Sequence, residues 1–381
     1  GTIQDQAGNT MDTTLAVPGQ TNSISAANAV AVDTQAPACT LVYVNISQPQ
    51  LSKLGKGEDQ LNLKAEFNEK IKATPTFSVY WPEEADVSLR DASFTASEKA
   101  DSTWTYTITS LPLETVYTGN VTFTLTATDL AGNSVVTVKD ADGFYLDTTP
   151  PAAFTTGAIT PLGSFPKARW FNIGTDNVSV SYPIVNSDLT ITMGKAQPKM
   201  KIVGVGAEFV LGQPDTLTNT SLPTQTIMFQ KSTVRSTIGA NFTQSARIAT
   251  WIDLYDRANN LTVGAVSLDT LTIDTIPPVM GSFVEGTDLT ADTLVSSDLI
   301  NTTITGFSDA HSGLATFEFA VGKHKDARYT ELDSMLAWTE WTANTDSVIS
   351  GAAPLRHATD HRISVRGIDN AGNRSDTLTT F

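Results

Sequence analysis

The chain has one cysteine, four histidines and no apolar run close to the eighteen residues a membrane span requires. A lone Cys39 excludes an internal disulfide. Without a long apolar run, no membrane span is expected in this segment. Basic residues are also few: 24 Lys and Arg face 40 Asp and Glu, for a net charge of −16 at pH 7. Nucleic-acid binding needs clustered Lys and Arg, so no nucleic-acid partner is expected. Such a surface attracts divalent cations instead. The sequence opens at Gly1 with neither Met nor a signal h-region, so any targeting segment is expected to have been removed or to lie outside this stretch of sequence.

What remains is ample for folding. Hydrophobic residues make up 40% and charged residues only 17%, a balance that supports packed cores rather than disorder. At 381 residues the chain is too long for a single core.

The main signal is repetition. Acidic turns begin at Asp5, Asp129, Asp256 and Asp369, spaced by 124, 127 and 113 residues, and each has an Asn four positions on (Asn9, Asn133, Asn260, Asn373). Asp-Thr-x-x-Pro steps begin at Asp33, Asp147 and Asp274. Two markers keeping step at this distance predict tandem domains. The expected division is a leading remnant at 1–36 (a final turn, strand and linker), then modules at 37–149, 150–276 and 277–381.

Within the modules the apolar period is two. "LNLKAEF", "TWTYTIT", "VTFTLTAT", "ARIATWIDLYD" and "HRISVRGID" alternate apolar residues with Thr, Ser or charge. Such segments, rich in β-branched and aromatic residues, read as half-buried antiparallel strands. Clusters of Gly, Asn, Asp and Pro separate them at short intervals. No long amphipathic helix is evident. The expected fold class is all-β, a series of immunoglobulin-like sandwiches with about seven to nine strands each.

The turn "DLAGN" then joins strand F to strand G. Gly132 supplies a positive φ, and Asn259 takes its place in the module at 150–276. The prolines of "LDTTPP" carry strand G into a stiff, extended linker. Because strands alternate in direction, the F–G turn should lie beside the linker arriving from the preceding module, and the B–C loop opens toward the same end. Three carboxylate sets are therefore expected at the junctions: Asp33, Glu69 and Asp129; Asp147, Asp188 and Asp256; Asp274, Asp309 and Asp369. With loop carbonyls they form candidate oxygen cages for calcium. Asx turns alone would also place Asp and Asn at these corners. Modules that bind at roughly 10⁻⁴–10⁻³ M gain on the order of 1–2 kcal/mol per site at millimolar calcium, enough to stiffen a hinge and too little to fold a module.

The "D-x-AGN" turn followed by "VDT-x-P" or "LDTTPP" resembles the bacterial immunoglobulin-like repeats of large cell-surface proteins and adhesins. "LKAEFNEKI" resembles another segment of such repeats, and "FSDAHSGLATFEFAV" with "ISVRGIDNAGNRS" is similar to a subgroup close to fibronectin type III domains. The resemblance implies secretion, display at the bacterial cell surface, and a spacer or adhesive role, often with calcium.

Other chemistry is thinly represented. His357 and His361 have a spacing suited to zinc only on a helix, and here they read as a solvated turn entering a strand. "GVGAEFVLG" has glycines but no following helix, so it is not a phosphate cradle. Cys39 reads as a small buried residue. Trp81, Trp104, Trp170, Trp338 and Trp341, with Tyr80 and Phe171, are candidates for a sugar-stacking face, though core packing is the more common use of such residues. No catalytic set is expected. The function expected is a non-enzymatic stalk or adhesin segment whose partners are its neighbouring repeats, other copies of itself or surface glycans. Alternatives are a filament or surface-layer subunit, with "ISAANAVAV" donated to a neighbouring sheet, and a carbohydrate-binding accessory region of a secreted enzyme. Three sandwiches of roughly 35–40 Å would span on the order of 110 Å end to end.

Overall fold

A computed structural model of the chain describes residues 3–10, 20, 32–82, 91–94, 98–100, 102–184, 188, 190–218, 220–285, 299–324, 332–341, 347–352 and 361–379. The chain divides into two compact units, Gly1–Thr149 and Pro150–Phe381.

In the first unit, period-two segments become the facing strands of a sandwich. One sheet runs Cys39–Asn45, Leu61–Phe67, Thr103–Ile108, Glu98–Ala100; the other runs Leu54–Gly55, Ser134–Leu146, Gly119–Thr128, Thr76–Tyr80, Asp91–Phe94. These are the A-B-E-D and A′-G-F-C-C′ orders of an immunoglobulin-like fold. Alternation sets the register. Leu61, Leu63, Ala65 and Phe67 turn inward, and Leu63 lies opposite both Tyr43 and Tyr106. From the second sheet, Phe77 stacks on Tyr106 at 4.7 Å and on Phe123 at 5.7 Å between ring centroids. Each such fully buried side chain stabilises the fold by about 1.5–3 kcal/mol.

Two separate hydrophobic clusters occupy the second unit. The first gathers Phe171, Val180, Tyr182, Met200, Ile252 and Ile273 among others. Its sheets run Ile159–Gly163, Thr175–Pro183, Thr224–Gln230 and Trp170–Phe171, Leu271–Ile273, Arg247–Tyr255, Lys195–Ile202, Glu208–Val210. An eight-residue α-helix, Lys231–Ile238, follows the strand Thr224–Gln230 and buries Val234 and Ile238. The second cluster holds Ile304, Phe307, Phe317, Phe319, Val321, Ile363 and Val365. Its sheets are Ser282–Glu285, Leu299–Thr305, Ser347–Ala352 and Leu332–Trp341, Leu314–His324, His361–Asp369, Leu378–Thr379. The chain is thus all-β and built of immunoglobulin-like sandwiches.

One pairing recurs. Leu54–Gly55 runs parallel to the end of Ser134–Leu146, with Tyr145 N–H on Lys53 O at 2.9 Å and Asp147 N–H on Gly55 O at 2.8 Å. Trp170–Phe171 runs parallel to Leu271–Ile273 in the same way, with Thr272 N–H on Arg169 O at 2.8 Å and Asp274 N–H on Phe171 O at 3.0 Å.

Three of the seven aromatic candidates, Trp81, Trp104 and Phe171, are buried; Trp170 is partly buried, and Tyr80 and Trp338 are exposed. The Trp338 ring is covered by the Arg366 guanidinium at 4.0 Å. The Trp341 side chain lies outside the described residues. Cys39 is half-buried at the edge of the first core rather than enclosed. His357 and most of "ISAANAVAV" fall outside the described residues, so the zinc and strand-donation readings do too. No helix among the described residues is long and apolar enough to cross a membrane.

Candidate metal centres

The repeated turn is closed by its own aspartate. Asp129 Oδ1 accepts the N–H groups of Gly132 at 2.6 Å and Asn133 at 2.8 Å, while Oδ2 accepts Asn133 Nδ2 at 2.9 Å. Asp5, Asp256 and Asp369 repeat the pattern, each accepting the N–H of the Asn four residues on through Oδ1 and its Nδ2 through Oδ2. The residue before that Asn has positive φ throughout: +86° at Gly8, +100° at Gly132, +68° at Asn259 and +87° at Gly372. The linker aspartates form their own Asx turns, Asp33 accepting Gln35 N–H at 3.0 Å, Asp147 accepting Thr149 N–H at 3.0 Å and Asp274 accepting Ile276 N–H at 3.1 Å. Hydrogen bonding within these corners thus accounts for many of the repeated Asp and Asn residues.

Asparagine carries a further contact. Asn133 Nδ2 donates to the Asp33 carbonyl at 3.2 Å, and Asn373 Nδ2 donates to the Asp274 carbonyl at 3.0 Å. Each turn therefore grips the backbone of the linker beside it. That linker contact is not visible from one copy of the motif; the fixed Asp-to-Asn offset across all four copies is the signal that could have found it.

Carboxylates gather at both places. Oxygens of Asp33, Glu69 and Asp129 lie within 4.8 Å of one another in the first unit, and those of Asp274, Asp309 and Asp369 do so in the second. Of the remaining expected set, Asp147 is buried at the end of the first unit. Asp188 and Asp256 belong to the second unit, where Asp188 Oδ1 accepts Thr190 N–H at 2.8 Å and Thr190 O accepts Arg257 N–H at 2.9 Å.

The first cluster is the more open: Asp33 is exposed, Glu69 half-buried and Asp129 enclosed. Burial raises the Asp129 carboxyl, but hydrogen bonds from Asn133, Gly132 and Ala131 outweigh it and hold the group below the usual carboxylate range. Glu69 is pushed up, first by burial and then by the charges of Asp33 and Asp129. In the second cluster Asp274 and Asp369 are both enclosed, and Asp309 is half-buried. Burial lifts the Asp369 carboxyl to about 6; Asn373 opposes the rise, and the charges of Asp274 and Asp309 add to it. Asp274 Oδ2 is buried and accepts no hydrogen bond. A buried carboxylate oxygen in that condition needs a cation or a proton, so the donor set fits a hard, oxygen-seeking ion.

Around the second cluster the two cores of the unit are clasped. Asn172 Nδ2 donates to Ala371 O at 2.7 Å, and Ile173 N–H donates to Asn373 Oδ1 at 2.8 Å. The Arg374 guanidinium lies 3.6 Å from the centroid of the Phe165 ring and reaches Glu318 at 3.0 Å, where Arg366 also pairs at 2.6 Å. Nothing in "RWFNIG" or "GSFP" marks these contacts beforehand, because a lone Asn or Phe in a loop has no periodicity to read.

No sequence family matches the chain, and no curated protein matches it. Solved structures similar to it include the FN1–FN3 domains of chicken CNTN1 (11% identity, 86% of this chain and 97% of that one, TM-score 0.35). A solved chain from work on host cell surface retention of a 1.5-MDa bacterial ice-binding adhesin is similar at 15% identity, over 91% of this chain and 98% of the solved one, TM-score 0.35. A tetra-tandem repeat from the extending region of a large adhesion protein is similar at 14% identity, over 90% and 74%, TM-score 0.22. At these values the fold assignment rests on the strand orders and registers described above.

Proposed function

We propose that this chain is a non-enzymatic spacer segment of a bacterial cell-surface adhesive protein, built from modules at 37–149, 150–276 and 277–381 after a remnant at 1–36, with calcium stiffening its joints. The observation that carries the reading is the convergence of linker, B–C loop and F–G turn carboxylates at Asp33, Glu69 and Asp129 and again at Asp274, Asp309 and Asp369. A cation there ties a linker to the module that follows it, which is where a chain of sandwiches would otherwise bend. The resemblance of "DLAGN" and "LDTTPP" to bacterial immunoglobulin-like repeats supports the surface location. At millimolar calcium each joint gains about 1–2 kcal/mol, so each sandwich folds without the ion and the ion acts on the hinge.

Small-angle scattering of the chain in millimolar calcium and in excess chelator tests this. The expected result is a longer maximum dimension and a narrower distance distribution with calcium. Identical profiles in the two buffers would remove calcium from the account and leave a spacer with hydrogen-bonded joints.

A further inference from the structure

The two carboxylate clusters differ in ways that set cation affinity. Asp274 is wholly buried and Asp369 nearly so, whereas Asp33 in the other cluster is exposed. A cation meeting carboxylates in an enclosed, low-dielectric place is attracted more strongly than one at a wet surface. The buried Asp274 Oδ2 has no donor, while Oδ1 is occupied by Ile276 N–H. Asp309 Oδ1 accepts the N–H groups of His311, Ser312 and Gly313, and no hydrogen bond engages its other oxygen.

The ligand-bearing segments are also fixed in advance. Asn370 N–H donates to Gly313 O at 2.9 Å and Asn370 Nδ2 to Ser312 O at 2.9 Å, tying the B–C loop to the F–G turn. Asn373 holds the Asp274 carbonyl, and Asp274 N–H is bonded to Phe171 O. A site whose ligands are already positioned loses little ordering entropy when the ion arrives. At the other cluster the B–C loop is tied to its turn as well, Lys72 N–H donating to Thr128 O at 2.9 Å, but the contact holding Asp33 is longer, Asn133 Nδ2 to Asp33 O at 3.2 Å.

We propose, building on the reading of these joints as calcium sites, that the Asp274–Asp309–Asp369 centre binds calcium at least tenfold more tightly than the Asp33–Glu69–Asp129 centre. The segment then has two thresholds. As free calcium falls, the first joint loosens while the clasp of Asn172, Asn373 and Arg374 stays sealed.

Calorimetric titration of the chelator-treated full chain with calcium tests the ranking in the wild type, Asp309→Asn and Glu69→Gln. The expected outcome is a tight class that disappears in Asp309→Asn and persists in Glu69→Gln, which loses a weaker class instead. Should Asp309→Asn fail to fold by near-ultraviolet circular dichroism, Asp274→Asn replaces it, since an amide oxygen still accepts the Ile276 N–H. A class lost in Glu69→Gln that is as tight as, or tighter than, the class lost in Asp309→Asn or Asp274→Asn overturns the ranking while leaving calcium binding in place. A single class of equal sites overturns it as well. No calcium uptake at millimolar concentration sinks the ranking and the underlying calcium reading together.

Discussion

The turns Asp129–Asn133 and Asp369–Asn373 are written alike and share both bonds from their Asn, but Asp129 also accepts Gly132 N–H, and their carboxyls are shifted in opposite directions. Asp129 is held below the usual carboxylate range by its turn. Asp369, with matching bonds from Asn373, is pushed up to about 6 by burial and by the neighbouring Asp274 and Asp309. The motif dictates the local bonds, and the surroundings dictate the chemistry. Asn172, Phe165 and Arg374 enclose one turn, while the other meets the Asp33 carbonyl and the Ile71 backbone.

The sharpest way to break this contrast is to remove the clamping amides. Asn373 is fully buried and bonds Asp274 O, Asp369 Oδ2 and Ile173 N–H. Asn373→Ala is therefore expected to cost roughly 2–3 kcal/mol, because buried partners lose their bonds. Asn133→Ala, where water can replace the lost partner, should cost about 1 kcal/mol. Differential scanning calorimetry of the two variants reads the difference; equal losses would mean that enclosure is irrelevant to the clamp.

Acid provides a second handle. Burial alone would raise the Glu318 carboxyl, but its hydrogen bonds and ion pairs with Arg374 and Arg366 outweigh that and hold it below the ordinary glutamate range. A lowered folded value means the stabilisation is complete above the ordinary glutamate range and is lost as pH falls through the folded value. Glu318→Gln should thus unfold more easily than wild type at pH 7, by about 1–3 kcal/mol, with the gap closing as pH falls below the ordinary glutamate range. A gap unchanged with pH would show that the carboxylate charge does not matter to the clasp.

The smallest expected effect, at Asn259, concerns the backbone of the turns. Gly132 sits at φ +100° with open space around a would-be Cβ, so Gly132→Ala costs conformational strain alone, about 1–2 kcal/mol. Asn259 already takes φ +68°, and Asn259→Gly should shift stability by less than about 0.5 kcal/mol, since Asn and Gly both accept this region. Thermal unfolding of the two variants checks the ordering, and a larger effect at Asn259 would mean its side chain matters more than its φ.

How far the sequence foretold the molecule follows from the same division. Strict alternation marked Leu61–Phe67 to the residue, because a half-buried strand must repeat with period two. The positive φ at Gly132 and Asn259 was legible, since few residue types occupy it. The helix Lys231–Ile238 was not: its "KSTVRSTI" is rich in β-branched and hydroxyl residues that favour helices weakly, and tertiary packing of Val234 and Ile238 holds it. Nor was the clasp of Asn172, Phe165 and Arg374 legible, since it depends on contacts some two hundred residues apart in the chain.

The short parallel pairings have a mechanical meaning. Leu54–Gly55 and Trp170–Phe171 lie near the start of their sandwiches, and each is bonded to the strand by which the chain leaves. Pulling on the two ends of such a sandwich slides the paired strands along each other, so the bonds from Tyr145 and Asp147, or from Thr272 and Asp274, share the load and must rupture together instead of opening one after another. Resistance to tension is thereby written into the pairing of an early strand with the last, independently of any ion at the corners of the fold.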